Sequence, residues 1–183
     1  MSRELRPLDR LTAIDETHIL LAQVTGSMLS LERLHNTVNS ISLSTSVPQD
    51  ITDQFDVARN LAVYSYFYYP FAQEMQAKLY TVIEYALRRC SGAHGRPHFK
   101  QMITDAVEQG LIKDAGFRHI QTPDPSNPYS RKLPEIIPKL RNTLAHGSNQ
   151  LTPDLIWPLE RAADLINQLF PETTTLNKEQ NAA

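Results

Sequence analysis

The sequence predicts an all-α protein: a helical bundle with two long antiparallel helices, the second kinked at Pro70, and three shorter helices. Two observations carry that reading. Apolar residues recur every three or four positions through most of the chain, the period of one helical face. Six glycines in 183 residues, and no alternating β-branched run of useful length, leave little material for strands. A chain of this length is expected to bury one core, so residues 1–170 read as a single domain. Residues 171–183, PETTTLNKEQNAA, have little to bury and read as a disordered tail.

Residues 8–45 form the first expected long helix. Leu11, Ile14, His18, Leu21, Val24, Met28, Leu31, Leu34, Val38 and Ile41 keep its period, with Gly26 as a tolerated weak spot. His18 lies on the apolar stripe and reads as a satisfied core histidine; His35 reads as a surface residue. The cluster SLSTSVPQD (42–50) makes the turn, and Asp50, Thr52 or Asp53 suits the cap of the next helix.

That next helix, 52–90, is marked by Phe55, Ala58, Leu61, Tyr64, Tyr68, Phe71, Met75, Leu79, Val82, Ala86 and Cys90. Its period survives Pro70, which predicts one kinked helix or two nearly collinear pieces. Tyr64, Tyr66, Phe67, Tyr68, Tyr69 and Phe71 crowd the kink. Base stacking is one use of such residues; packing of a core or a subunit contact is the commoner one, and is expected here. Glu84 and Arg88, four apart, form a surface pair of small worth.

The segment SGAHGRPHF (91–99) is a loop, where His94 and His98 lack the third ligand a metal needs. A short helix follows, with Phe99, Met102, Ile103, Ala106 and Val107, ending near Gly110. Residues 117–130 hold three prolines and no period, hence a surface loop. Another helix begins near Leu133, where Pro134 suits a first turn and Pro138 bends the interior. Thr152 followed by Pro153 starts the last helix, 153–169, with Leu155, Ile156, Leu159, Ala162, Ala163, Ile166 and Leu169 as its buried face.

The net charge of −2 is unevenly distributed. From Lys78 to His146 there are eleven Lys or Arg against six Asp or Glu, a net +5, which leaves −7 for the rest. That polarity fits a phosphate-bearing partner, and equally a solvated surface with clustered charge. No run is apolar enough to span a membrane. The charged start MSRELRPLDR with no signal-peptide core after it, and a single cysteine, Cys90, make a reducing cytoplasm the expected home.

One stretch has polar residues placed for chemistry: LPEIIPKLRNTLAHG, Leu133 to Gly147. Leu133, Ile136, Ile137, Leu140 and Leu144 make the apolar stripe of its helix. At about 100° per residue, Arg141 lies on one flank. Asn142 and His146 lie side by side on the other flank. Ala145 sits between them, facing away from the core, and Gly147 suits the position past the helix end. Such a helix presents Arg, Asn and His to another surface.

At Arg141-Asn142-Thr143-Leu144-Ala145-His146 the chain resembles the HEPN superfamily, whose signature joins an arginine, a polar neighbour and a following histidine. Four residues separate Arg141 from His146, and the helical setting over roughly residues 8–170 strengthens the likeness. The resemblance implies a HEPN-like bundle and a metal-independent endoribonuclease. It also implies a homodimer, whose motif helices face each other across a composite cleft, and no cofactor. RNA carries its own nucleophile, the 2′-OH, so the expected products are a 2′,3′-cyclic phosphate and a 5′-OH. His146 would then move the proton near neutral pH. Arg141 would hold the scissile phosphate, and Asn142 would orient His146 or bond the phosphate. The family link also implies a toxin or a phage-defence or stress-response effector, with an antitoxin or nucleotidyltransferase partner. In some toxin members a tyrosine follows two residues after the histidine and is modified; Ser148 stands there in this chain. The alternative is a non-catalytic dimerisation or nucleotide-binding module that regulates a partner.

Overall fold

The computed structural model describes residues 5–92, 97–145 and 154–172. Among them are seven α-helices and no strand: α1 (Glu16–Thr25), α2 (Leu31–Asn39), α3 (Gln49–Tyr64), α4 (Phe71–Ser91), α5 (Phe99–Glu108), α6 (Leu133–Ala145) and α7 (Ile156–Leu169). The all-α class is as the periodicity predicts, with breaks in different places.

The expected helix over 8–45 is interrupted. Gly26 sits at φ 71°, a left-handed conformation that ends α1, and its N–H closes on the Ala22 carbonyl. Ser30 then caps α2 by accepting from the Arg33 amide at 3.1 Å. Two strong local signals thus outweigh a continuous apolar period. In consequence Leu11, Val24 and Met28 are exposed instead of buried, while Leu34, Val38 and Ile41 join the core.

The 52–90 pattern is not one kinked helix. The chain reverses between Ser65 and Pro70, and α3 and α4 lie antiparallel. The far end of α4 returns to the start of α3, where the Tyr85 hydroxyl donates to Asp50 and Arg89 pairs with Asp50 at 3.6 Å. Ile51, Phe55, Ala58 and Ala62 of α3 are buried, as are Met75, Leu79, Val82 and Ala86 of α4. The alanines permit close approach, and the larger side chains supply the apolar area that drives it. None of the three expected caps serves α3; it begins after Pro48 without a side-chain cap.

The aromatic cluster lies at this reversal, where Tyr66, Phe67, Tyr68 and Phe71 are half-buried and Tyr64 is exposed. Tyr69 is 1% exposed. His18, buried as expected, stacks edge-on to Tyr69 with centroids 5.0 Å apart, and its Nε2 donates to the Ser65 carbonyl at 3.0 Å. Asp15 caps α1 through the Thr17 amide and also accepts from the Tyr69 amide at 3.0 Å.

α4 packs against α3, α5, α6 and α7, and α7 buries Leu159, Ala162, Ala163, Leu165, Ile166 and Leu169 against α4, α2 and α3. Its first amides, Ile156 and Trp157, donate to Asp154; the expected start at Thr152 and Pro153 lies outside the described residues. α5 buries Met102, Ile103 and Ala106 as predicted. The 117–130 segment is more than a surface loop, because Phe117 is 2% exposed and Ser130 fully buried. Before it, Gly116 packs where a Cβ would displace the Gln168 side chain of α7, which accepts from the Lys113 amide at 2.8 Å.

Candidate functional site

α6 begins from a buried anchor. The Asp114 carboxylate accepts from the Ser130 amide (2.7 Å), the Ser130 hydroxyl (2.6 Å) and the Tyr129 amide (3.1 Å). Burial alone raises the Asp114 pKa, but these donors outweigh it and hold the carboxyl below its ordinary value. The anchor fixes the turn Ser130–Lys132 and so aims the helix that follows.

The helix runs unbroken through Pro138, which leaves the Pro134 carbonyl without its helical donor. Its apolar stripe is only partly buried. Leu133, Pro134 and Ile137 are inside, whereas Ile136 is 43% and Leu140 44% exposed, a correction to the expectation that the whole stripe faces the core. Both residues line an open cleft between α4, α6 and α7.

Arg141, Asn142 and Ala145 are exposed, as the helical period requires. His146 and Gly147 lie outside the described residues, as does Ser148. Arg141 Nη1 approaches Asn142 Oδ1 at 3.4 Å, so the two polar residues lie against each other. Arg141 Nη2 reaches Glu84 of α4 at 3.5 Å, and Glu84 is held more tightly by Arg88 at 2.7 Å. Glu84 is thus more than Arg88's surface partner: one carboxylate lies between two guanidiniums, and the trio is left with a net positive charge.

The strength of the Arg141–Glu84 link decides whether Arg141 is free to act. The Arg141 side chain is 47% exposed. Such exposed pairs contribute roughly 0–1 kcal/mol, so little holds Arg141 to Glu84. The link positions the side chain without sequestering it.

Elsewhere the basic segment is less one-sided than its composition. Arg89 is met by Asp50 of α3, and Arg118 by Glu160 and Asp164 of α7. Folding therefore brings acids from the −7 portion onto the +5 portion. Cys90 is half-buried, and burial pushes its thiol pKa up, which disfavours a nucleophilic role. His98 is exposed at the start of α5; His94 lies outside the described residues. Among the described residues no three His, Cys, Asp or Glu gather as a metal site, and no helix is long and apolar enough to cross a membrane.

Comparison of the chain with protein-family models, with curated proteins and with solved structures finds no match. Its own residues must therefore carry any functional reading.

Proposed function

We propose that the chain is a metal-independent endoribonuclease of HEPN type, acting at a composite site in a homodimer and cleaving RNA through its own 2′-OH. The observation that supports this most is the exposed Arg141–Asn142 pair, held beside Glu84 and Arg88 with a surplus of positive charge. In the proposed reaction the 2′-OH oxygen attacks the adjacent phosphorus as His146 takes the hydroxyl proton. The bond to the 5′-oxygen breaks, and that oxygen leaves protonated as the 5′-OH. Arg141 neutralises the charge that builds on the phosphoryl oxygens. A second motif helix, facing the first across the dimer, supplies the other proton donor.

One observation favours the alternative, a non-catalytic dimerisation or nucleotide-binding module. The Arg141–Glu84 contact ties α6 to α4, a role that needs no substrate.

The two readings separate on labelled RNA with EDTA present. The nuclease reading expects cleavage that survives EDTA, stops on 2′-O-methylated RNA and leaves cyclic phosphate ends. It also expects Arg141→Ala and His146→Ala each to lose about 10²–10⁴-fold in rate while remaining folded. Cleavage that requires Mg²⁺, or that proceeds on the methylated RNA, overturns the mechanism. Variants that unfold or dissociate assign these residues to structure.

A further inference from the structure

We propose that the cleft between α4, α6 and α7 binds a small carboxylate with an apolar body, its head on Arg161 and its body along the open face of α6. The cleft has a volume of about 420 Å³, within the roughly 300–1,000 Å³ of small-molecule sites. Its walls include Leu79 and Ile83 of α4, Ile136 and Leu140 of α6, and Trp157 of α7. Three of these, Ile136, Leu140 and Trp157, are 43–48% exposed. Large apolar side chains that share one concave surface and remain unpacked mark a place where something else is buried.

The charge in the cleft says what. Arg161 lies with its guanidinium carbon 3.6 Å from the Trp157 ring centroid and 5.1 Å from that of Tyr129. Nη1 donates to the Tyr129 hydroxyl, and Nε is buried with no acceptor. No carboxylate lies within ion-pair distance of Arg161 among the described residues. The acids nearby are engaged: Glu160 and Asp164 bind Arg118. Asp154, which lines the same cleft, accepts from the amides at the start of α7. Arg161 is therefore a cation fixed by ring stacking, half-desolvated and with no carboxylate in direct contact among the described residues. Tyr80 adds a neutral donor. Its hydroxyl has no protein partner among the described residues, and burial pushes its pKa up to about 12, so it stays protonated. Apolar walls with one unpaired guanidinium and one hydroxyl suit a single carboxylate on a hydrocarbon or aromatic body. A phosphate dianion asks for more positive charge than one arginine supplies.

The inference is independent of the RNA reading, since neither Arg141 nor Asn142 lines the cleft. Trp157, the only tryptophan, is a built-in reporter. The test is titration of the full chain with decanoate, 1-decanol and decyltrimethylammonium, read by Trp157 emission and by heat of binding. Decanoate is expected to bind saturably and to shift the emission. Decanol should bind about tenfold or more weakly, for want of the charge-assisted contact, and the ammonium more weakly still. Arg161→Gln should bring decanoate down to the affinity of decanol, Tyr80→Phe should weaken it by about threefold, and Arg141→Ala should leave it unchanged. The proposal is overturned if decanoate does not bind, if the three head groups bind alike, or if a folded Arg161→Gln protein binds decanoate undiminished. Should Arg161→Gln fail to fold, the head-group ranking in the unaltered protein decides.

Discussion

Two polar centres flank α6, and they are built in opposite ways. At its start, Asp114 is 2% exposed and receives three donors from Tyr129 and Ser130. Toward its end, Arg141 and Asn142 stand in solvent, and their contacts, at 3.4 and 3.5 Å, are at the long limit of hydrogen bonding. A buried carboxylate must be saturated, because each lost partner leaves a desolvated charge. An exposed guanidinium need not be, and so remains available to a ligand. The first centre belongs to folding and the second to whatever the protein meets.

The comparison is open to direct attack. Its largest expected effect is on stability at the buried centre: Asp114→Ala should cost about 3 kcal/mol, since three bonds to one charge are lost and their donors stay buried. Arg141→Ala should cost under about 1 kcal/mol, as exposed pairs do. Urea titrations of the two variants check both values, and equal costs would erase the distinction drawn here.

A smaller effect appears in acid. Burial alone raises the pKa of both Asp114 and Asp15, but their donors, with Arg6 near Asp15, hold both carboxyls below the ordinary value. A carboxyl whose folded pKa is depressed contributes stability above its unfolded pKa, about 3.9, and loses that contribution as pH falls through the folded value. The urea midpoint should therefore fall steadily below about pH 4. Asp114→Asn should be less stable near neutrality and show a shallower fall; an unchanged slope would remove Asp114 from the acid response.

The smallest effect concerns Glu84. Glu84→Gln removes the carboxylate between Arg88 and Arg141, which leaves two uncompensated guanidiniums. Stability should change by less than about 1 kcal/mol. If the proposed RNA reading holds, RNA affinity should rise, with a steeper salt dependence, because the face gains one unit of net positive charge. Filter binding across a salt series measures this, and a lower affinity would place Glu84 among the groups that recognise the ligand.

Much of the fold was legible in the sequence where one face is buried and its limits are marked. α5 and α7 bury most of the residues their periods predict, with Phe99, Val107 and Ile156 only half-buried, and Gly110 follows α5 at φ 70°. The reversal between α3 and α4 was hidden, because the apolar period continues in phase through 64–71 and the turn is built from aromatics. The break at Gly26 was readable in principle, since glycine followed by a capping serine is a stop and a start. Exposure of Arg141 and Asn142 followed from the helical period alone. The Arg141–Glu84 contact did not, because 57 residues separate the partners and neither pattern encodes the packing of α6 on α4. The cleft escaped for the same reason: Tyr80, Ile136 and Arg161 come from three helices, and each looks ordinary in its own.

The attachment of α1 has a consequence for motion. Arg6 and His18 donate to the carbonyls of Phe67 and Ser65, the Asp15 amide donates to the Tyr66 carbonyl, and the Tyr69 amide donates to Asp15. All four bonds land on the five residues 65–69. Beyond that hinge Ile19, Leu20 and Val24 face solvent. α1 is therefore joined to the body mainly through one turn, with Leu21 its further apolar contact with the core. Segments with few buried apolar contacts open at the low end of a protein's ladder of partial unfolding. Amide exchange in α1 should accordingly be faster than in α3, α4 and α7, and the bonds to the aromatic turn set how much faster.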